Sequence, residues 1–311
     1  MELTPNRVCV VMEKQGFAIG FSQPRDGHTL PRGLITKRFT RLTGDLRVIY
    51  LMKLEHTIPL LNIDTTEEAI GFIVGNVPPG ISVGFSGGKD SIVTAKLMEL
   101  SGIPHTLEYS FTGMDPPEIV RFIRKYYPNC KNRRNKRNFW KDLAVSAPPS
   151  DRLRWCCTLL KKTNSDQVHG IRAEESSRRS SRKRINHYKG RITYYPIFHW
   201  KEWQIWQFIE EHALAYPVLY DWGFDRIGCV VCPYHSERTG NLHAKYRKHW
   251  PKFFERFEKG ITELYYKRVS QGKRMAHKTP KDFLDAWYLD DSARWYAKDT
   301  DNQSLNLTIA S

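Results

Sequence analysis

Ser86-Gly87-Gly88-Lys89-Asp90-Ser91, reading SGGKDS, follows the apolar run Ile81-Ser82-Val83-Gly84-Phe85 and precedes Ile92, Val93, Leu97, Met98 and Leu100. Val83 and Phe85 alternate with smaller neighbours as a buried strand does, and the later residues recur at helical spacing, so the stretch is a loop between strand and helix. Such a junction is an anion site. Gly87 and Gly88 let backbone N–H groups close on phosphate oxygens, the helix start adds its positive dipole end, and Lys89 supplies a full charge. Ser86 and Ser91 add hydroxyl donors. An ordinary glycine turn is the plainer alternative for a lone Gly-Gly pair; the unbroken run of six in this setting favours phosphate binding. The spacing is not that of a Walker loop.

Working outward, residues 106–111 predict a second parallel strand. Asp115, Pro116 and Glu118 then predict a capped helix start, with Pro116 at the first helical position and Ile119, Val120, Phe122, Ile123 and Tyr126 on the buried face. Strand, helix, strand, helix in this order favours an α/β fold with a doubly wound parallel sheet, whose ligands sit at the carboxyl ends of strands. A further strand ending near residues 168–171 delivers Gly170, Arg172, Glu174, Glu175, Arg178 and Arg179 toward the same crevice, a structural salt-bridge cluster being the alternative. Residues 192–198 predict one more strand. Trp203, Ile205, Trp206, Phe208 and Ile209 predict a helix whose aromatic residues are core rather than a base-stacking platform. Long and short helices follow at 253–269 and 278–288, and a loosely held tail at 299–311.

Before the loop, short apolar runs at 8–12, 17–21 and 46–51, with turns at 14–16 and 25–27, predict a small β-rich appendage. Asp64, Thr65 and Thr66 ahead of Glu67 and Glu68 open a helix that ends before Pro78 and Pro79. The expected organisation is therefore a β-rich accessory region at 1–79, a nucleotide-binding domain at 80–235 and a helical C-terminal region at 236–311.

The chain has 311 residues, 40% apolar, with a formal charge of +16 and a pI near 9.6. Such a surface suits an acidic partner, nucleic acid or nucleotide before membrane, with salt-sensitive binding. Two basic runs stand out, five basic residues in eight at 131–138 and five in seven at 178–184. The second lacks an apolar stripe and is expected to stay mobile until a polyanion arrives. No apolar run reaches the length of a membrane span and no secretion leader opens the chain, so the cytoplasm is the expected compartment.

Six cysteines, at 9, 130, 156, 157, 229 and 232, are too few and uneven for a secreted disulfide scaffold. Cys156 and Cys157 are adjacent, and Cys229-Val230-Val231-Cys232 forms a second pair. Together they can surround one metal centre, zinc or iron–sulfur; buried packing and a redox dithiol are the alternatives. Cys9, in an apolar run, is expected to be buried packing. Cys130, beside the first basic run, is expected to have a lowered pKa and to be a candidate sulfur carrier.

The six-residue loop resembles the PP-loop of ATP pyrophosphatases. Arg154-Trp155-Cys156-Cys157 with Leu160-Lys161, and Arg226-Ile227-Gly228-Cys229-Val230-Val231-Cys232-Pro233, extend the resemblance to the phosphoadenosine phosphosulfate reductase family over about 80–288. In its cluster-bearing branch such cysteine pairs hold a 4Fe-4S cluster. The resemblance therefore implies iron–sulfur ligation by Cys156, Cys157, Cys229 and Cys232, with zinc the lesser option. Two departures bear on the reaction. Reductases of the family carry a later nucleophilic cysteine in a Glu-Cys-Gly context, whereas no cysteine follows Cys232 here; and Phe111-Thr112-Gly113-Met114 stands where Asp-Thr-Gly is usual. The chain is also similar to the ATP pyrophosphatase of DNA phosphorothioation systems.

By that resemblance ATP places its phosphates on residues 86–91, with magnesium balancing the pyrophosphate. Lys89, with Arg172 or Arg179, steadies charge at the α-phosphate, and Asp90 holds loop and metal geometry. The expected activity is adenylation of an acceptor, DNA or tRNA, for sulfur incorporation, with a cysteine desulfurase or other sulfur donor as partner. Adenylyl or phosphoadenylyl sulfate reduction, with Cys130 or a partner chain supplying the thiol, and non-catalytic nucleotide sensing on nucleic acid are the alternatives.

Overall fold

The computed structural model describes residues 8–13, 16–21, 50–51, 63–134, 137–150, 153–161, 163, 165–235, 242–289 and 294–297. The turn at 25–27 and the tail from residue 299 lie outside them, as does most of the turn at 14–16. Near the N-terminus β1 (Val8–Glu13) and β2 (Gly16–Phe21) pair antiparallel, Glu13 opposite Gly16, and β3 (Tyr50–Leu51) joins the other edge of β1. Cys9 lies in β1, but its side chain is outside the described residues.

The central sheet has the order β6-β5-β4-β7-β9-β8, from β4 (Ile81–Gly84), β5 (His105–Phe111), β6 (Lys131–Arg134), β7 (Gln167–His169), β8 (Ile185–Tyr188) and β9 (Arg191–Tyr194). Val83 stands opposite Leu107 on one side and Val168 on the other, both pairings parallel. β7 continues parallel to β9, and β8 closes the edge as an antiparallel hairpin. From β4 the chain builds first toward β5 and later returns on the other side as β7. That reversal beside β4 is a topological switch point, and doubly wound folds bind ligands at the carboxyl ends of strands beside such a point.

The chain divides into two compact units that share the sequence in alternation: residues 1–109, 125–131 and 164–220 form the first, and 110–124, 132–163 and 221–311 the second. In the first, α1 (Ile63–Asn76) and α2 (Lys89–Leu100) precede and follow β4. Ile92, Val93, Leu97 and Met98 of α2 are fully buried with Ile73 of α1 and Val83 of β4, the face that the helical spacing marks. α6 (Ser177–Ser180) and α7 (Glu202–Glu211) complete this unit. In α7 Ile205, Trp206, Phe208 and Ile209 are core, with Trp206 edge-on to Tyr216 and Tyr220.

The second unit is helical: most of α3 (Pro117–Tyr126), then α4 (Phe139–Leu143), α5 (Trp155–Leu160), α8 (Leu242–His249), α9 (Pro251–Ser270) and α10 (Pro280–Leu289). Phe254, Phe257, Ile261 and Leu264 recur down one face of α9 and are buried with Phe283 and Trp287 of α10. The Trp287 indole N–H donates to the Pro149 carbonyl at 2.8 Å. No described helix is long and apolar enough to cross a membrane.

Three local expectations change. The strand expected at 192–198 stops at Tyr194, because 195–200 coil into turns in which Phe198 N–H donates to Tyr195 and Trp200 N–H to Ile197. Asp115 does not cap α3; its carboxylate turns back to accept from the N–H (2.8 Å) and hydroxyl (2.7 Å) of Thr112. The run at 178–184 is folded rather than free. Ser176 caps α6, and Arg184 pairs with Glu68, donates to the Pro196 carbonyl at 2.6 Å and lies 3.9 Å from the Phe72 ring centre. The first basic run begins as edge strand β6, where lysine and arginine discourage further strand pairing.

Candidate functional site

In the first unit the loop takes the form its glycines require. Gly87 has φ +73°, a region that side chains with a Cβ rarely occupy, and Gly88 is the extended N-cap of α2. Ser91, in the first turn of α2, locks the loop. Its hydroxyl donates to the Gly88 carbonyl (2.8 Å) and accepts from the Ser86 N–H (3.2 Å), with the Ser86 hydroxyl also at 3.2 Å. Ser91 is therefore a brace of the loop. The first N–H groups of a helix have no partner within it. One of them here, that of Lys89, donates to the Tyr220 hydroxyl at 2.8 Å.

Around the loop stands a chain of alternating charges, all within the first unit. Lys89, 4% exposed, lies 3.7 Å from Glu202 and 5.3 Å from the centre of the Tyr220 ring. Arg172, 3% exposed, donates through Nε to Asp90 Oδ1 at 2.5 Å and through Nη1 to Glu174, which also accepts from the Glu202 N–H at 2.5 Å. Burial works against the Arg172 cation, but Asp90, Glu174 and Glu175 outweigh it and leave its pKa raised. Arg179 pairs with Glu175 one turn away. The expected residues Lys89, Asp90, Arg172 and Arg179 thus belong to one electrostatic network, and the salt-bridge cluster that was their structural alternative is the means by which they are positioned.

Gly170 packs against the first turn of α2. A Cβ there would come 2.5 Å from the Asp90 carbonyl oxygen, so its bareness lets the end of β7 touch the first turn of α2. On the neighbouring strand Gly84 leaves room for the His169 ring, which lies 2.2 Å from where a Gly84 Cβ would sit. Burial, with some help from Arg182, lowers the His169 pKa to about 4, so the imidazole at the sheet reversal is neutral. His169, Tyr220 and Glu202 escape sequence reasoning. Tyr220 lies 131 residues from its partner, and only His169, at a strand end before a glycine, left a trace.

In the second unit, α5 carries Cys156 and Cys157, and the loop before Pro233 carries Cys229 and Cys232. The four thiols feel one another: Cys157, Cys229 and Cys232 all act on Cys156. Cys156 donates to Cys157, which keeps Cys156 a thiol and favours the thiolate of Cys157, with Arg154 Nη2 3.4 Å from its sulfur. Burial raises Cys229, and raises Cys232 to about 12. The Thr112 hydroxyl lies 3.8 Å from the Cys229 sulfur, and that cysteine's negative form raises the pKa of Lys161. Sulfur-facing cations and hydroxyls suit thiolate ligation. Among the described residues no three cysteine, histidine or carboxylate groups close to the spacing of a single metal ion. Cys130 belongs to the first unit; contrary to expectation, burial raises it to about 11, and nearby Glu108 adds to the rise.

A glycine loop between strand and helix at the reversal of a parallel sheet, with a buried lysine at the helix start, defines an α/β protein of the PP-loop class. The chain belongs to the phosphoadenosine phosphosulfate reductase domain family, which matches residues 80–235. It is 33% identical over 225 residues to an uncharacterized protein of Methanocaldococcus jannaschii, covering 65% of this chain and 46% of the relative. It is 32% identical over 100 residues to adenosine 5'-phosphosulfate reductase of Bacillus cytotoxicus, covering 27% and 43%. The chain thus spans a little under half the length of these curated relatives. A phosphoadenylyl-sulfate reductase structure from Candida auris, a phosphate complex, aligns at 19% identity and a TM-score of 0.42, covering 56% of this chain and 97% of that one.

Proposed function

We propose that the protein is an ATP pyrophosphatase that adenylates a nucleic acid acceptor for sulfur incorporation. The observation that carries this is the buried lysine–glycine loop at the sheet reversal, with Arg172 and Asp90 held against the same helix start. ATP would lay its phosphates on residues 86–91, and magnesium would neutralise part of the triphosphate charge. An acceptor oxygen attacks the α-phosphorus, a new oxygen–phosphorus bond forms, and the α–β bridge breaks to release pyrophosphate. Lys89 would move from Glu202 toward the phosphates, while Asp90, fixed by Arg172, holds the loop. A sulfur donor, such as a cysteine desulfurase persulfide, attacks the activated centre through its outer sulfur and displaces AMP together with the acceptor oxygen; a second thiol then cleaves the new S–S bond, leaving sulfur on the acceptor and a disulfide on the donor side.

The thiol set of the second unit fits an iron–sulfur cluster better than any mixed-ligand site, since all four donors are sulfur and Arg154 and Lys161 offset their charge. Cys156, Cys157, Cys229 and Cys232 would hold it. A bound cluster would tie the α5 segment to the 229–232 loop and couple folding to metal supply.

The test is pyrophosphate release from ATP by anaerobically purified protein, expected to rise with nucleic acid and to vanish in Lys89→Ala. Retention of release in Lys89→Ala refutes the assignment. Because relatives carry the name adenosine 5'-phosphosulfate reductase, sulfite production from adenylyl sulfate and thioredoxin is the second assay. Sulfite without pyrophosphate release would make the protein a reductase.

A further inference from the structure

The second unit contains a cavity of about 500 Å³ between α4 and α9 that the chemistry above does not use. Its floor is apolar, with Leu143 and Leu264 buried. Its rim carries Arg256, Lys259 and Lys267 against the single carboxylate of Glu263. Its wall is Trp140, with the Arg256 guanidinium 4.3 Å from the ring centre and Phe139 edge-on at 5.2 Å. The cavity is built into the packing. α9 packs on α4 at Gly260, where an added Cβ would come into ordinary contact with Leu143 Cδ2 at 3.4 Å, and Arg268 ties the far end of α9 to the Val145 carbonyl.

Pockets of ~300–1,000 Å³ take small planar ligands, and an indole backed by a guanidinium is a stacking surface for any base. Lys259 lies 3.9 Å from Glu263, and with Arg256 and Lys267 beside that one pair the mouth keeps a net positive charge that suits negative charge beside the base. On a chain of net charge +16, phosphodiester backbone supplies both features at once. We propose that this cavity docks the acceptor: a nucleobase of single-stranded nucleic acid enters against Trp140 and Arg256, and Lys259 and Lys267 take the adjoining phosphates. This rests on the nucleic acid reading above and says where the strand binds.

The probes are labelled single-stranded DNA and RNA of one sequence, titrated with the full chain by fluorescence anisotropy over a salt series. The expected result is that Lys259→Gln with Lys267→Gln flattens the dependence of log affinity on log salt by about 1.4, at ~0.7 for each phosphate no longer neutralised. Arg256→Ala and Trp140→Ala should each weaken binding about five- to hundredfold. All variants should bind ATP as the parent does. Lys259 and Lys267 are exposed, so their double variant stays informative even if Trp140→Ala unfolds. The stronger of the two oligonucleotides identifies the source of the strand. Unchanged affinity and salt slope in the lysine variant overturn the docking site and leave the nucleic acid acceptor standing elsewhere. Displacement of the oligonucleotide from the cavity by AMP overturns it in favour of a small nucleotide. Failure of the parent chain to bind either oligonucleotide overturns both proposals.

Discussion

Two glycines at the ends of adjacent strands should respond to the same added methyl group in opposite order to their distances. In Gly170→Ala the new Cβ stands 2.5 Å from the Asp90 carbonyl oxygen, 2.7 Å from its carbon and 2.8 Å from Thr94 Oγ1. The tightest ordinary carbon–oxygen contacts lie near ~3.3 Å, so the overlap is roughly 0.8 Å. The obstacle is helix backbone, and Thr94 is fixed to it by a 2.8 Å bond to the same carbonyl. Relief requires displacing the turn that carries Lys89 and Asp90, so the cost should reach the top of the ~1–3 kcal/mol range for overpacking. In Gly84→Ala the contact is closer, 2.2 Å, but the obstacle is the His169 ring. A side chain can swing about χ1, and about 1 kcal/mol should suffice. Urea denaturation and ATP titration of both variants check this. Gly170→Ala should also weaken ATP binding by about tenfold or more, ~1.4 kcal/mol, and Gly84→Ala should become nearly neutral in a His169→Ala background. If Gly84→Ala is the more damaging, or its cost is unchanged without the imidazole, the packing account of the strand ends is wrong.

Three further outcomes follow from the same geometry. His169 has a folded pKa near 4 against ~6.5 in the unfolded chain, so the unfolded state takes up a proton that the folded state refuses between those values. Stability should therefore fall as pH drops, by about 1–2 kcal/mol from this group between pH 7 and 5, and His169→Gln should flatten that part of the urea-midpoint profile. Tyr220→Phe strips the acceptor from the Lys89 N–H. It should lower the melting temperature of ligand-free protein, at about 1–3 kcal/mol, with most of the loss recovered when ATP is added; an unchanged melting temperature refutes that bond. Anaerobically purified protein should contain iron and acid-labile sulfide, both lost together in Cys229→Ser or Cys156→Ser. Absence of both from the parent protein removes the cluster from the account.

Much of the first unit was legible because its cues are local. Alternation ending at Phe85, glycines where the chain must turn, and apolar residues three and four apart from Ile92 onward specify strand, loop and helix without distant partners. The aromatic face of α7 and the long α9 were legible by the same periodicity. Asp115 misled because a carboxylate before a proline looks like a cap, while Thr112, three residues earlier, offered two donors at once. The arginine run at 178–184 misled because nothing local indicates that Glu68, more than a hundred residues away, waits for Arg184. Cys130 misled because neighbouring lysines and arginines in sequence suggested stabilising charge, whereas burial decided its pKa.

By itself the sequence determined the strand–loop–helix unit around residues 86–91, the alternation of strands and helices, and the paired thiols, since each is written in residues within one or two turns of one another. Tertiary structure alone decided that Tyr220 covers the Lys89 N–H, that Arg172 is held by Asp90, and that His169 fits where Gly84 has no side chain. Those contacts join segments that stand far apart along the chain, and their energy depends on distance and burial, which a linear pattern does not encode until the sheet brings its strand ends together.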